Sequence, residues 1–569
     1  MTEGRLERFL RRAVLVCLFL PVALLTSMAL FSVCHITHLR TEVHYYVPAQ
    51  GLLLVPLFLL FLGALMLGRR RLAPWLGRHA KAVTLGLLLA LSALGVLFVL
   101  TARVQPGADQ AKVILAAAHW RSGNFSDLQR GGYLYLYPHQ IGLVLATWLA
   151  SFLFGSGSYL PGQLCNVAAL AGAIWFLGRA AALLFPHRWT QPAVTAALCL
   201  FLPLFFYTAF NYGTLYGLCC SAAAFYLLLR FLAQRRAGQL CGMALLAAAA
   251  VLLKQNYLIS LMAMALVLLF DLLRSRRLSS LLAAGVLVGA ALLCSAGAQA
   301  AVGAISGQPV SDGIPKSAWV MMGLQDSDRG PGWYNDSTVK LYTAADFDGA
   351  KTDRAARSAI VKQLRAFTAD PAGALRFFAQ KIASQWNEPT FQCFWISSVR
   401  QSFDTSPAFI QSLLAGRLAL ALEKLMRVFC LFVLLGTLCL ICFPRHRVPA
   451  GALYLALAFV GGFLFHLAWE AKAEYALPYF ALLIPCAAEG CAGAAARLQD
   501  FLGGVSAAKS KKAALRRGWK PLLALCLLAA LLVHPGFVRN TLDLGCDRQA
   551  YAQYLSQRAE GTSSARSGR

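Results

Sequence analysis

The sequence predicts an all-α polytopic membrane protein with about thirteen transmembrane helices. Of its 569 residues, 59% are hydrophobic and only 13% are charged, whereas soluble domains carry roughly 25% charged residues. The mean hydropathy is +0.61. Runs of about twenty apolar residues, the length of a membrane-crossing helix, recur along the chain.

The net charge of +28 comes from 52 Lys and Arg against 24 Asp and Glu. In a soluble protein this excess would suggest a nucleic-acid partner. Here the basic clusters occupy short segments beside the apolar runs, at 68–81, 274–277, 443–447 and 509–517. Cytoplasmic loops of membrane proteins have this bias, and their cations contact anionic lipids. We therefore expect membrane lipids and no nucleic acid as partners.

Fourteen apolar segments are candidates to cross the membrane. They lie at 13–36, 47–68, 82–102, 137–155, 160–185, 190–211, 213–233, 238–254, 256–273, 278–303, 424–443, 448–469, 474–495 and 520–536. The Lys and Arg bias places the N-terminus and 68–81 in the cytoplasm. It places 103–136 and 304–423 outside.

These assignments agree only if one segment does not cross. Two full spans between 137 and 185 would put the later basic loops on the wrong side. We therefore predict that 137–155 is an amphipathic or half-inserted helix at the outer face. Thirteen spans then remain, and the tail 537–569 lies outside. The alternative is that 137–155 crosses, with a local exception to the charge bias.

Five regions follow from this topology. They are an N-terminal two-span extension (1–81), a transmembrane core with a first outer loop at 103–159 (82–303), an extracytoplasmic loop domain (304–423), the C-terminal part of the core (424–495), and a basic cytoplasmic loop with the last span and an outer tail (496–569). The loop domain is predicted to be mostly helical, because 353–367 and 370–386 are amphipathic. The second helix has an N-cap residue, Asp370, followed by Pro371.

The unusual polar clusters all fall on the predicted outer face. They are Asp109, "YPHQ" (137–140), "FNYGTLYG" (210–217), "LKQNY" (253–257), "WNEPTFQCFW" (386–395) and "WEAKAEYALPYF" (469–480). The middle of each span is nearly free of ionisable groups, which argues against an ion-coupled transporter. This pattern predicts a reaction or binding site at the outer interface.

Each cluster also has an ordinary structural explanation. Asp109 follows Pro-Gly and could be a helix N-cap, and Lys254 could extend to the lipid headgroups. Glu470, Lys472 and Glu474 could form a solvated turn. His139 could be a satisfied polar side chain, and Trp386 could belong to the interfacial aromatic belt.

The order of these clusters resembles the GT-C superfamily of membrane glycosyltransferases. It is most similar to the branch of the protein O-mannosyltransferases and lipid A aminoarabinose transferases (family 39-like). The motifs are "ADQAKVILAAAHWRSGNF" from 108, "YPHQIGLVLATWLASFLFG" from 137, "YG" at 212–213 and "EAKAEYALPYF" from 470. The resemblance covers roughly 80–480. It implies helices lying along the membrane after the first outer loop.

The resemblance implies transfer of a sugar from a polyprenyl-phosphate carrier. Asp109 would be the general base of an inverting displacement. Lys254 and Lys472 would stabilise the leaving phosphate. Tyr137, His139, Gln140, Glu470 and Tyr475 would complete the phosphate and sugar site, although some relatives have a Lys where this chain has Tyr137.

Aromatic residues of the loop domain are candidates to stack on a sugar or to frame the acceptor groove. They are Trp333, Tyr334 and Trp386. The resemblance does not support a divalent metal, because Gln110 follows Asp109 and interrupts the acidic pair that some relatives carry. We therefore assign no metal site and no certain cofactor.

The sequence thus predicts a multi-pass bacterial plasma-membrane enzyme, a hexosyl- or pentosyltransferase. Its N-terminus would lie inside and its active site at the outer face. It would use a polyprenyl-phosphate sugar and a cell-envelope acceptor, which could be a protein, a polysaccharide, a teichoic acid or a lipid. The alternatives are a lipid-linked oligosaccharide flippase or transporter, and an enzyme similar to O-antigen polymerases or ligases.

Overall fold

The structure, a computed structural model, describes residues 5–37, 42–398, 406–442, 448–507 and 548–560. Helices make up nearly all of its regular structure, so the all-α prediction is confirmed. The predicted last span at 520–536 lies outside the described residues. So do the basic segments 443–447 and 509–517.

The N-terminal extension consists of α1 (Arg5–Phe31), a hairpin of β1 (Ser32–Ile36) and β2 (His44–Pro48), α2 (Leu54–Arg78) and the start of α3 (Ala80–Ala102). The strands pair antiparallel, with Cys34 opposite Tyr46. The prediction that the first span continues to residue 36 is wrong. Residues 32–36 leave the helix because they pair with β2, and the Cys34 amide also donates to the Asn387 carbonyl at 3.2 Å.

Helices long enough to cross a membrane form the body of the protein. After α3 they are α7 (Leu160–Leu184), α10 (Thr214–Gln234), α12 (Leu258–Ser275), α13 (Leu278–Ser306), α20 (Arg417–Cys442), α21 (Leu453–Ala468) and α22 (Ala473–Ala507). Within the described ranges, ten helices are long and apolar enough to cross, or twelve if each bent helix pair is one span. The predicted thirteen is therefore approximate.

Two predicted spans differ from single long helices. Segment 190–211 is divided into α8 (Thr190–Leu200) and α9 (Leu202–Phe206), bent by 65°. Pro203 lies next to this break, where its ring and missing N–H disfavour a continuous helix. Segment 238–254 forms α11 (Ala237–Leu253), which has only 17 residues. One predicted span is thus a bent helix pair, and another is a helix near the lower length limit for crossing a membrane.

The first loop folds into α4 (Ala108–Arg121), α5 (Tyr133–Leu136) and α6 (Ile141–Phe154). The chain bends by 101° between the segments 126–136 and 138–154. Helix α6 has 14 residues and is about 21 Å long, less than the hydrocarbon thickness of about 30 Å. That 137–155 does not cross stays a prediction, which this short helix supports.

The loop domain is mostly helical, as predicted. It contains α14 (Lys316–Gly323), α15 (Ser337–Ala344), α16 (Gly349–Ala369), α17 (Pro371–Trp386), α18 (Trp395–Ser398) and α19 (Ala408–Leu414). The predicted helices 353–367 and 370–386 are both confirmed. The Asp370 carboxylate caps α17 by accepting a hydrogen bond from the Gly373 amide at 2.9 Å.

The largest hydrophobic core joins the long helices with α17 and the hairpin. Helices α20 and α22 approach closely at Gly436 and Gly490, where a Cβ on Gly490 would collide with the Gly436 carbonyl. Large apolar side chains on other helices are exposed, including Leu60, Leu89 and Leu293. Such faces are expected where helices contact lipid.

The last described helix, α23 (Arg548–Glu560), packs on the N-terminal hairpin. Tyr551 stacks on His35 with ring centroids 4.8 Å apart, and Tyr554 stacks on Tyr45 at 5.4 Å. The two ends of the chain therefore meet beside the hairpin.

Candidate active site

One large cavity of about 1320 Å³ lies between the loop domain and the ends of the long helices. The predicted site residues on its walls are Asp109, Tyr137, His139, Gln140, Lys254, Trp333, Tyr334, Glu470, Lys472 and Tyr475. They come from five separate parts of the sequence. The fold thus brings together every predicted site residue except Trp386.

Asp109 lies in the first turn of α4 and faces the cavity. The N-cap of this helix is Gly107, and no side chain caps it, so the helix-cap explanation of Asp109 is wrong. Its carboxylate is exposed and accepts a hydrogen bond from the Tyr212 hydroxyl at 3.2 Å. No ion pair to Asp109 occurs among the described residues, which leaves this carboxylate available to a substrate.

Tyr212 connects the Asp109 side of the cavity to the cationic side. Its hydroxyl accepts a hydrogen bond from Gln140 Nε2 at 2.7 Å and donates to Asp109. Its ring lies 4.7 Å from Lys254 Nζ. Burial holds the pKa of Tyr212 well above its usual value, so the phenol stays a donor.

Gly213 explains why Tyr212 can reach this position. Its φ of +79° belongs to the left-handed region, and a Cβ there would collide with the Leu253 carbonyl. The turn before α10 therefore packs directly on the end of α11, next to Lys254. The backbone at this junction thus requires the glycine of the "YG" pair.

Lys254 forms a buried ion pair with Glu474. Its Nζ lies 3.0 Å from Glu474 Oε1 and donates to Thr214 Oγ1 at 2.9 Å. The two charged side chains are 9% and 2% exposed, so the headgroup explanation of Lys254 is wrong. Burial lowers the pKa of Lys254, and the Glu474 carboxylate opposes that shift.

A second group of charges surrounds Lys472. Its Nζ lies 3.9 Å from Glu474 Oε2 and 4.0 Å from Glu42 Oε1. Glu42 also accepts from Arg329 Nη1 and from Gln392 Nε2, both at 2.9 Å. Burial acts to lower the pKa of Lys472, but the carboxylates of Glu42, Glu474 and Glu470 hold it above its usual value. Lys472 is therefore an ammonium ion in the site.

Glu470 is buried in the same wall. Its carboxylate accepts a hydrogen bond from the Tyr475 hydroxyl at 3.4 Å, and its carbonyl lies 3.0 Å from His466 Nδ1. Burial raises the pKa of Glu470 to about 7, although Lys472 opposes this. The explanation of 470–474 as a solvated turn is wrong, because Glu470 and Glu474 are only 6% and 2% exposed.

The wall nearest α5 and α6 is aromatic. His139 is exposed to the cavity, and its ring meets Tyr137 edge-on at 6.1 Å. The Tyr137 hydroxyl lies 3.5 Å from the Tyr334 hydroxyl, and Arg329 lies over the Tyr334 ring at 5.8 Å. Tyr334 therefore joins the aromatic wall to the charged one.

The predicted stacking residues differ in their surroundings. Trp333 lines the cavity but is only 1% exposed, and its indole N–H donates to Ser384 Oγ at 2.9 Å. Trp386 does not line the cavity. Its ring packs against Phe459 and Phe463 in the core at 5.3 and 5.6 Å. The stacking role predicted for Trp386 is therefore wrong, because no sugar can reach this ring.

Four residues of the site had no role in the sequence-based prediction: Glu42, Arg329, Tyr212 and Glu474. One signal for Glu42 was present, since it is the only acidic residue between 13 and 68. The sequence could not place Glu42 beside Lys472, because the two residues meet only when the N-terminal extension folds onto the core. In the described part of the chain, no cluster of three His, Cys, Asp or Glu side chains has the geometry to hold a metal ion.

A family model described as "conserved hypothetical integral membrane protein" matches residues 13–489. The chain belongs to this family. No curated protein matches the sequence. Among solved structures, the chain is similar to ArnT from Cupriavidus metallidurans bound to undecaprenyl phosphate.

The similarity to ArnT is weak. The identity is 14% and the TM-score is 0.30, with 74% of this chain and 79% of ArnT covered. The family match covers residues 13–489, and Glu42, Asp109, Lys254 and Lys472 all lie inside this range.

Proposed function

We propose that this membrane protein is a glycosyltransferase that moves a sugar from a polyprenyl-phosphate donor to a cell-envelope acceptor at the outer face. One observation carries the proposal. A single cavity holds the exposed carboxylate of Asp109 and, across Tyr212, the ammonium group of Lys254, with the half-buried Lys472 on the same wall. Sugar transfer from a phosphate carrier needs both a base and cations.

Asp109 is the proton acceptor in this proposal. The acceptor hydroxyl attacks the anomeric carbon, its new C–O bond forms as the bond to phosphate breaks, and its proton goes to Asp109. This is a single displacement, so it inverts the anomeric centre. The carboxylate is available because its one described hydrogen bond comes from Tyr212. That hydroxyl can hold the carboxylate while leaving its second oxygen for the substrate.

The cationic wall would receive the leaving phosphate. Lys254, Lys472 and Arg329 supply three positive charges, and Glu42 and Glu474 supply two negative ones. With Glu470 neutral below its pKa of about 7, this wall keeps a net charge of +1. A preorganised positive charge of this kind stabilises the charge that develops on the phosphate oxygen.

The remaining walls suit the two ends of such a donor. Apolar side chains at the ends of α11, α12 and α21 line one part of the cavity. They are Val251, Leu252, Leu258, Ile259 and Phe465. They offer the polyprenyl chain a path beside the membrane helices. His139, Gln140 and Tyr334 line the polar part, where their hydrogen-bonding groups can contact the sugar.

The test uses purified protein in detergent, so that no second compartment exists. Radiolabelled polyprenyl-phosphate sugars are offered one at a time with cell-envelope fractions, and label transfer is measured. We expect the wild type to transfer one of them. Asp109→Asn should bind donor normally and lose about 10²- to 10⁴-fold in transfer rate.

Asp353→Asn is the matched control, because Asp353 lies on α16 and does not line the cavity. It should keep the wild-type rate. Wild-type transfer by Asp109→Asn would disprove the general-base role. Donor movement across reconstituted vesicles without any sugar transfer would instead favour a transporter.

A further inference from the structure

Lys381 is a buried lysine of α17 that the proposed chemistry does not use. It is 1% exposed. Its Nζ donates to three backbone carbonyls, those of Gly323, Leu467 (3.0 Å) and Trp469 (2.8 Å). An ammonium group has three N–H donors, so this set of acceptors satisfies it fully.

The three carbonyls belong to the ends of two helices. Gly323 is the last residue of α14, and Leu467 lies in the last turn of α21, which ends just before Trp469. Carbonyls at a helix C-terminus lack partners within the helix and carry the negative end of its dipole. Lys381 therefore caps two helices with one side chain. Burial lowers the pKa of this lysine to about 7, and the Glu470 carboxylate opposes that shift.

Each capped helix leads into a loop that lines the cavity. The chain after α14 carries Arg329, Trp333 and Tyr334, and the chain after α21 carries Glu470 and Lys472. The two loops are also joined directly, because the Ala471 amide donates to the Gly332 carbonyl at 2.8 Å. Lys381 thus lies where both loops begin.

Gly332 packs against the stem of this lysine. Its φ is +74°, and a Cβ there would lie 2.6 Å from Lys381 Cε. Only glycine fits both this backbone conformation and this contact. The loop with Arg329 and Tyr334 is therefore shaped around the Lys381 side chain as well as bonded to it.

We propose that Lys381 is the positioning residue of the active site. Its ammonium group fixes the loop after α14 and the loop after α21 relative to each other, and so presents Glu470 and Lys472 to the donor phosphate. The positioning itself is a property of the fold. Its effect on the donor rests on the function proposed above.

The experiment separates these two parts. Hydrogen exchange of the backbone amides in 467–475 reports the loop without any substrate, and the dissociation constant for undecaprenyl phosphate, used as the probe, reports the site. In Lys381→Met three buried carbonyls lose their donor, and we expect exchange in 467–475 to accelerate about tenfold or more. The dissociation constant should rise about tenfold, as expected for displaced binding groups. A loss of folded protein alone would not change this constant.

Two further variants make the result decisive. Lys362→Met removes an exposed lysine of α16 that does not line the cavity, and it should match the wild type in both measurements. Lys381→Arg keeps a cation with several N–H donors and should lose less than Lys381→Met in both.

Equal losses in Lys381→Arg and Lys381→Met would assign the effect to packing volume and overturn the proposal. Exchange in Lys381→Met equal to that of Lys362→Met would overturn it too. If Lys381→Met is not recovered folded, the test rests on Lys381→Arg. Exchange in Lys381→Arg more than tenfold faster than in the wild type would then reject the proposal. If the wild type does not bind undecaprenyl phosphate, the donor assignment fails. The exchange data then still test whether Lys381 holds the two loops together.

Discussion

The two sides of the cavity use charge in opposite ways. On one side Asp109 is exposed and accepts one described hydrogen bond, from a neutral tyrosine. On the other side Lys254, Glu474 and Glu42 are largely buried and Lys472 is half-buried, and each lies within 4.0 Å of an opposite charge. The first side can exchange a proton with a substrate. The second side is a fixed set of charges.

This difference shows how one site can serve two requirements. A base must be reachable and free to accept a proton, so it is better left without a permanent ion pair. A binding site for a developing anion must already be oriented, so its cations are held by partners that prevent collapse. Buried charges are costly without those partners. We therefore expect substitutions on the fixed side to change stability and substitutions on the open side to change rate.

The largest effect on stability should come from Lys254→Met. It removes the nearer of the two cations beside the buried Glu474 carboxylate and leaves only Lys472, 3.9 Å from Oε2. Breaking a buried ion pair costs up to about 3–5 kcal/mol. Thermal unfolding in detergent measures the loss. Lys112→Met, an exposed lysine of α4, is the control and should unfold like the wild type.

The double variant Lys254→Met with Glu474→Gln removes both charges and should regain most of the lost stability without regaining sugar transfer. A single variant as stable as the wild type would show that the pair is not part of a fixed wall. The contrast between the two sides would then fail.

Glu470 should make stability depend on pH. Its folded pKa of about 7 lies above the ordinary value of 4.5, so the folded state binds the proton more tightly than the unfolded state does. The resulting stabilisation is fully present below pH 4.5 and is lost as the pH rises through about 7. At about 1.4 kcal/mol per pKa unit, the loss is roughly 3 kcal/mol.

Glu470→Gln stays neutral at every pH and should remove this decline. Melting temperatures measured from pH 4 to pH 8 in one detergent test it, and the variant should be the more stable protein at pH 8. Parallel curves for the two proteins would show that Glu470 has the same pKa in the folded and unfolded states and is ionised at neutral pH. The fixed wall would then have no net positive charge.

Tyr212→Phe should have the smallest effect on stability and act mainly on the open side. It removes the hydrogen bond to Asp109 while keeping the ring over Lys254. Hydrogen bonds to charged groups contribute about 1.5–3 kcal/mol, so we expect transfer to slow at least about tenfold. The melting temperature should change little.

Tyr159→Phe is the matched control for this substitution, because the Tyr159 hydroxyl donates to the Arg103 carbonyl outside the cavity. Transfer rates of both variants are compared at saturating donor. An unchanged rate in Tyr212→Phe would mean that Asp109 holds its position without help from the hydroxyl.

The hydropathy pattern predicted the fold class because the length and polarity of a membrane helix follow directly from the bilayer. The predicted site residues Asp109, Lys254 and Lys472 do line one cavity, because polar groups near span ends collect on the same side. Glu42 could not be found in this way. Its contacts with Arg329 and Gln392 join residues 287 and 350 positions apart. Neither the local hydrophobic periodicity nor the composition predicts such pairs.

Trp386 shows the converse limit. From the sequence it was an aromatic residue beside a polar cluster, a common setting for a sugar-binding ring. Its position on α17 rules out a sugar-binding role, because that side of the helix packs into the core against Phe459. The break in segment 190–211 likewise had a visible cause in Pro203, yet an apolar run alone does not tell a bent pair from a span.

The Lys254–Glu474 pair joins residues 220 positions apart, and this separation has a consequence for biosynthesis. At about 5–20 residues per second, a ribosome needs on the order of 10–40 s to make that length of chain. During this time α10, α11 and α12 are already in the membrane with Lys254 lacking its carboxylate. The early helices therefore cannot form the Lys254–Glu474 contact until α22 has been synthesised and inserted. The arrival of α22 is then also the step that completes the site.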